Sequence, residues 1–208
     1  MEKSFFPNRA LFWSFWANVI YLIGMIGYFL MDVFNYIRPN VINLSLSSSI
    51  YAILAGIFVI DTTLQIFSVY NISSNAHRYY AMVLSSIFDQ VGSHVYFLGA
   101  LFTATALTNS TTIAICNGVG AANFAMGAAI NMLAPGSGVV HLLANSLNLL
   151  GSLCYVLAIF LTNVALTQSI VIVGDSIYVI DAILYMISWF IHRRMTTLEG
   201  EPILLASK

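Results

Sequence analysis

The chain has 208 residues, of which 60% are hydrophobic and 7% are charged, and its formal net charge is −1. Soluble domains carry roughly 25% charged residues, whereas the long stretch between Asp89 and Asp175 contains no Asp, Glu, Lys or Arg. This composition excludes a soluble globular protein, and the lack of a basic cluster argues against nucleic acid as a partner.

Apolar runs of about 20 residues, the length that crosses a bilayer core of about 30 Å, follow one another along the chain. Five predicted spans are 11–31, 48–70, 79–107, 139–162 and 167–191. A further segment, 111–134, is rich in Gly, Ala and Asn, and is compatible with either a span or a long external loop.

The distribution of basic residues favours a sixth span at 111–134. With six spans, the side that carries both termini collects Lys3, Arg9, Arg78, Arg193, Arg194 and Lys208, and the other side has only Arg38. Cytoplasmic loops are enriched in Lys and Arg. The sequence therefore predicts an integral membrane protein with six spans and both termini in the cytoplasm.

Internal repetition also supports six spans. The odd spans share Gly-x-x-x-Tyr at Gly24, Gly92 and Gly151, and a small polar residue stands six residues before each glycine. The even spans share a motif that ends in Asp61, Asn123 and Asp181, so that 111–134 supplies the middle copy. The prediction is a single all-α domain over residues 1–208, with short cytoplasmic tails and three tandem helical hairpins at 11–70, 79–134 and 139–191.

The segment from Asn145 to Tyr155, which is echoed from Asn18 to Tyr28, resembles the YrhK-like family of small membrane domains. The likeness covers about 20 residues in each copy and rests on a small polar residue, a glycine and an aromatic residue. It implies a membrane-embedded helical hairpin and brings no activity with it.

Acidic residues inside spans are the main candidates for a functional site, because a charge at mid-membrane costs about 3 kcal/mol. Asp61, Asn123 and Asp181 occupy equivalent positions of the three even spans, so a threefold arrangement of the hairpins would make them a polar ring. Such a ring either binds a proton or cation, or holds the helices together through hydrogen bonds between neutral side chains.

Asp89 and His94 lie in the third span and have no counterparts in the other copies. Five residues of helix place them about 140° apart, so they do not share one face. They are either members of a proton relay with different neighbours or partners in ordinary interhelical hydrogen bonds.

Small residues indicate where helices approach closely. Gly24, Gly92 and Gly151 are each expected to face a neighbouring helix, because glycine leaves room for the neighbour. On the fourth helix, Ala121, Ala125 and Ala129 repeat every four residues, and Gly118 precedes Ala122 by four. This pattern predicts a small-residue face and would place the fourth helix at the centre of the bundle.

No catalytic, cofactor or metal motif is found in the sequence, so we expect neither an enzyme nor a bound cofactor. The first functional hypothesis is a structural or accessory membrane component that contacts lipid and either other membrane subunits or further copies of itself. The alternative is a small transporter or ion or proton channel that uses the mid-membrane acids.

Overall fold

The computed structural model describes residues 6, 8–39, 41–70, 76–107, 109–134 and 138–199, with only the backbone for 196–199. Lys3 and Lys208 lie outside the described residues, and residues 192–199, predicted as part of the C-terminal tail, continue α6. Six helices make up nearly all of the described chain: α1 (Arg9–Ile37), α2 (Leu44–Tyr70), α3 (Ala76–Thr105), α4 (Ser110–Leu133), α5 (Val139–Ile159) and α6 (Val164–Glu199). The described ranges contain no β-strand, and the predicted all-α fold is confirmed.

Asparagine caps explain where four of the helices begin. The side-chain oxygens of Asn8, Asn43, Asn109 and Asn163 each accept a hydrogen bond from the backbone N–H three residues later, at distances of 2.7–3.1 Å. A helix start leaves its first N–H groups without partners inside the helix, and an asparagine side chain satisfies one of them. The starts of these four helices are therefore defined by the local sequence.

The helices form a closed ring in which each packs only against its two neighbours, in chain order, and α6 returns to α1. Two hydrogen bonds mark the closing contacts of α1: Ser68 Oγ of α2 donates to Ala10 O over 3.1 Å, and Trp189 Nε1 of α6 donates to Leu11 O over 2.9 Å. The prediction of a central fourth helix is wrong. α4 lies in the ring like the others and packs against α3 and α5, with Gly120 and Gly127 facing α3 and Gly118 facing α5.

Five of the helices, namely α1, α2, α4, α5 and α6, are long and apolar enough to cross a membrane. Segment 111–134, which the sequence left open between a span and a loop, forms α4 and is among them. α3 is less apolar than these five helices and is not among them. Its polar side chains are concentrated between Ser85 and His94. Because α3 is 30 residues long and lies between α2 and α4, neighbours cover several of these side chains.

The outer surface of the ring is covered by large apolar side chains, including Ile23, Leu30, Ile53, Ile115 and Leu150, all of which are more than 40% exposed. Buried polar residues, by contrast, are common inside. This is the inverse of a soluble protein and matches helices that face lipid. The chain is a multi-pass integral membrane protein.

Candidate functional site: a polar cavity inside the helix ring

The ring encloses a cavity of about 200 Å³ that is lined by side chains from all six helices. α2 contributes Phe58, Asp61, Thr62, Gln65, Ser68 and Val69; α4 contributes Ala121, Phe124, Ala128 and Asn131; and α6 contributes Tyr178 and Tyr185. The remaining lining residues belong to the odd helices. No protein backbone fills the axis, so the side chains decide what the cavity accepts.

The lining residues of the odd helices share one register relative to Gly24, Gly92 and Gly151. They stand ten, six and three residues before the glycine and four residues after it, which keeps them on one face of each helix. Ten residues before the glycine stand Ser14, Met82 and His141, and six before it stand Asn18, Ser86 and Asn145. Three residues before it stand Tyr21, Asp89 and Asn148, and four after it stand Tyr28, Tyr96 and Tyr155. Ala17 and Met25 complete the contribution of α1.

Three tyrosines lie together at one end of the cavity. The ring centroid of Tyr96 is 6.1 Å from that of Tyr28 and 6.3 Å from that of Tyr155. These residues come from α1, α3 and α5, which are not neighbours in the ring, so their side chains meet across its interior. We call them the tyrosine layer. They are the tyrosines of the three Gly-x-x-x-Tyr motifs.

Carboxyl groups from three helices surround the cavity. Asp61 is buried and accepts hydrogen bonds from Gln65 Nε2 at 3.1 and 3.2 Å. Asp89 is half-buried, lines the cavity, and accepts a bond from Ser85 Oγ at 3.3 Å. Asp181 is buried and accepts from Tyr21 at 3.2 Å through Oδ2, while its Oδ1 has no partner among the described residues. Asp61 also interacts electrostatically with Asp89 and Asp181.

The basic side chains are kept away from these acids. Four of the five aspartates lie well inside their helices, and Asp32 is half-buried near the end of α1. The five arginines stand near helix ends: Arg9, Arg78, Arg193 and Arg194 at one end of the ring, and Arg38 at the other. Arg78 and His192 lie near His141 at the arginine-rich end. In the described part of the chain, therefore, no Lys or Arg lines the cavity.

Among the predicted polar residues, the structure brings Asp61, Asp89 and Asp181 to the cavity or its immediate wall, and leaves Asn123 and His94 outside. Asn123 Nδ2 donates to Val119 O of its own helix over 2.8 Å. The adjacent residue, Phe124, takes the place in the cavity that the polar-ring hypothesis gave to Asn123. His94 points outwards, with Nδ1 2.7 Å from Gln90 O, so it does not join Asp89.

Each of the three motif glycines faces the next helix in the chain. A methyl group at Gly24 would lie 2.8 Å from the ring of Phe58, and one at Gly151 would lie 3.2 Å from the ring of Tyr178. At Gly92 it would lie 3.0 Å from the carbonyl oxygen of Gly120.

Of the small residues predicted to pack on α4, Ala121 is buried and lines the cavity, but the pair Gly118 and Ala122 does not face α3. Gly118 faces Ile159 of α5, and Ala122 is exposed. The close approach to α3 uses Gly120 and Gly127 instead, with Ser85 Oγ donating to Gly127 O over 3.0 Å. A spacing of seven keeps these two glycines on the α3 side of the helix.

Sequence reasoning missed Asp32, Asp175 and most of the interior tyrosines. Asp175 is fully buried on α6, and Asp32 is half-buried on α1. A signal was present for Asp32, which follows Tyr28 by four residues, a spacing that is close to one helical turn. Helical periodicity alone, however, does not say which face of a membrane helix is the inner one.

No protein-family model matches the chain, and neither a curated protein nor a solved structure matches it. The resemblance to the YrhK-like family stays a prediction.

Proposed function

We propose that the chain is a small membrane transporter whose central cavity binds an organic cation of a few heavy atoms. The observation that carries the proposal is the separation of charge at the cavity: Asp61 and Asp89 line it, the buried Asp181 lies at its wall, and no Lys or Arg among the described residues lines it. A buried carboxylate without a basic neighbour is costly. A cation that enters the cavity would therefore be stabilised by Asp61, Asp89 and Asp181.

The aromatic lining favours an organic cation over a metal ion. Tyr21, Tyr96, Tyr155, Tyr178 and Tyr185 border the cavity. Aromatic faces attract ammonium groups by up to about 2 kcal/mol when water is excluded, whereas hard metal ions need several oxygen ligands at short distance. A cavity of about 150 Å³ holds benzene, so about 200 Å³ accommodates a quaternary amine such as choline.

Choline binding to the purified protein in nanodiscs, measured by isothermal titration calorimetry, tests the proposal. The matched probe is the uncharged choline analogue in which carbon replaces the quaternary nitrogen, because it has the same shape without the charge. We expect choline to bind at least about tenfold more tightly than the analogue, which corresponds to about 1.4 kcal/mol.

The variant Asp89→Asn should weaken choline binding by about tenfold or more, because it removes one charge from the cavity wall and keeps the side-chain shape. His94→Asn is the control, since His94 is on the same helix but outside the cavity. Equal affinity for choline and its uncharged analogue, or no binding of choline, tetramethylammonium or ethanolamine, would overturn the proposal.

The orientation that we propose has both termini in the cytoplasm. The arginine-rich end of the ring supports it, because positively charged ends face the cytoplasm. Single cysteines at Ser110 and Val139, in a protein that lacks Cys116 and Cys154, provide the test with a membrane-impermeant maleimide. Val139→Cys should react only from the cytoplasmic side and Ser110→Cys only from the other. Reaction of both on one side would mean that α4 does not cross, and reversed sides would place the termini outside.

The second candidate is a non-enzymatic structural or accessory component. It is favoured by the short connections, for example Ile37 to Leu44 and Ile159 to Val164, which leave little surface outside the membrane. The apolar outer face would then contact lipid and other membrane subunits or further copies of the chain. In this role Asp61 and Asp181 would only hold helices together, so Asp→Asn would be mild, and none of the cations named above would bind.

A further inference from the structure

A second polar cluster adjoins the tyrosine layer, and its two carboxyl groups lie outside the cavity lining. It consists of Asp32 on α1, Asp175 on α6 and two tyrosines that donate hydrogen bonds to them: Tyr51 to Asp32 and Tyr155 to Asp175 Oδ1. The Asp32 and Asp175 carboxyl groups are also within hydrogen-bonding distance of each other. None of the three aspartates proposed to bind the cation belongs to this cluster.

The two carboxyl groups need a proton between them. Asp175 is fully buried, and its Oδ2 has no donor among the described residues. An ionised carboxylate only accepts hydrogen bonds, so Asp32 and Asp175 satisfy each other only when one of them is protonated. Carboxyl groups held this close share a proton because two adjacent negative charges repel each other.

The other titratable groups that face the pair do not supply a compensating charge. They are Tyr28 from α1, Tyr51 from α2, Tyr96 from α3, Tyr155 from α5 and Tyr178 from α6. All five are neutral donors or acceptors at physiological pH. Arg38 caps the end of α1 beyond Asp32, and the described contacts of the pair include no Lys, Arg or His. A metal ion is also disfavoured, since tyrosine hydroxyls already occupy one oxygen of each carboxyl group.

Polar contacts connect the pair in two directions. Tyr155 lines the cavity with its side chain and donates to Asp175, so it touches both sites. On the other side, Tyr51 accepts a hydrogen bond from Asn35 Nδ2 at 3.1 Å, and Asn35 also donates to Ser47 Oγ at 3.3 Å near the ends of α1 and α2. The pair therefore has polar contacts with the cavity on one side and with the ends of α1 and α2 on the other.

We infer that Asp32 and Asp175 share one proton and form a proton-binding site that is distinct from the cation cavity and linked to it through Tyr155. The sharing itself does not depend on the proposed function. Only the consequence rests on the proposed function: in a transporter, this proton would be the coupling ion. Loading this site with a proton would remove one negative charge beside the tyrosine layer and so alter cation binding on the other side of it.

Infrared spectroscopy of the protein in nanodiscs at neutral pH tests the shared proton, because a protonated carboxyl group has a C=O stretching band that an ionised one lacks. Asp32→Asn and Asp175→Asn should each remove one band, and the double variant should remove no more than either single one. Loss of two bands in the double variant would mean two separate protons, and no loss in any variant would mean none. Either result would overturn the inference.

A milder variant guards against loss of folding. Tyr155→Phe should shift the frequency of the same band, because Asp175 loses its donor while the ring that contacts Tyr96 remains. Tyr178→Phe is the control, since its hydroxyl bonds Ser152 at 2.6 Å and should leave the band in place. An unshifted band in Tyr155→Phe would contradict the assignment.

The two proposals fail separately. If choline does not bind but the shared band is present, the transporter proposal fails and the proton site stands. If choline binds but the band is absent, only the proton site fails. If both hold, Asp175→Asn should change the affinity for choline by about tenfold or more. The affinity should depend on pH in the wild-type protein and should not depend on pH in the variant. A variant that keeps the pH dependence of the wild type would overturn the coupling.

Discussion

The α3–α4 and α5–α6 interfaces carry the same Gly-x-x-x-Tyr motif but pack in different ways. Gly92 of α3 lies against the backbone of α4, where an added methyl group would be 3.0 Å from Gly120 O. Gly151 of α5 lies against the ring of Tyr178 on α6, whose hydroxyl lies 2.6 Å from Ser152 Oγ. The first interface joins two backbones, and the second joins a backbone to an aromatic side chain.

The residue opposite each motif glycine accounts for the difference. It is Phe58 on α2, Gly120 on α4 and Tyr178 on α6. Where it is aromatic, the ring fills the space over the glycine and also borders the cavity. Where it is glycine, the two helices come into backbone contact. The same motif therefore builds the cavity wall in two of the interfaces and a close helix contact in the third.

The largest effect should come from Gly92→Ala. The added methyl group would meet the backbone of α4, which cannot move without shifting the helix, so we expect a loss of about 2–3 kcal/mol in unfolding free energy. Gly151→Ala should cost about 1 kcal/mol, because the ring of Tyr178 can tilt. Thermal unfolding in detergent, followed with a thiol-reactive dye that labels Cys116 and Cys154 as they become exposed, measures both.

Gly138→Ala is the control for these two variants, because an added methyl group there has no atom within 4 Å. It should change the unfolding free energy by no more than about 0.5 kcal/mol. Equal losses for Gly92→Ala and Gly151→Ala would show that the two interfaces do not differ in the way the structure describes.

A smaller effect is expected from the hydrogen bond at the α5–α6 interface. Tyr178→Phe should cost about 1 kcal/mol, because it leaves the buried Ser152 hydroxyl with only its bond to Asn148 O at 2.9 Å. The double variant Tyr178→Phe/Ser152→Ala should lose less unfolding free energy than the sum of the losses in the two single variants. A double-mutant cycle measures this difference. Strict additivity would argue that the two hydroxyls do not interact.

The smallest effect is expected at Asn123 beside the α3–α4 interface. Asn123→Ala should change stability by no more than about 0.5 kcal/mol, because its amide bonds only to Val119 O of its own helix. Asn145→Ala is the comparison on α5: it is fully buried and accepts from Tyr185 at 2.8 Å, so its loss should cost about 1–3 kcal/mol. Equal costs for the two asparagines would contradict the outward placement of Asn123.

Local properties of the sequence determined the helical membrane fold. Span length and hydropathy depend on about 20 consecutive residues at a time, and they predicted five of the six helices directly. The sixth, α4, followed from the arginine distribution and the motif spacing. Helix starts are equally local, since Asn8, Asn43, Asn109 and Asn163 cap the helix that immediately follows each of them.

Only the tertiary structure decided which side chains share the interior. One residue turns a helix by about 100°, so a shift from Asn123 to Phe124 exchanges an amide outside the cavity for a ring that lines it. Matching repeats of low-complexity apolar sequence does not fix their register to a single residue. Asp32 and Asp175 are an even clearer case. They belong to the first and last helices, and they become neighbours only because the ring closes, which is a property of all six interfaces together.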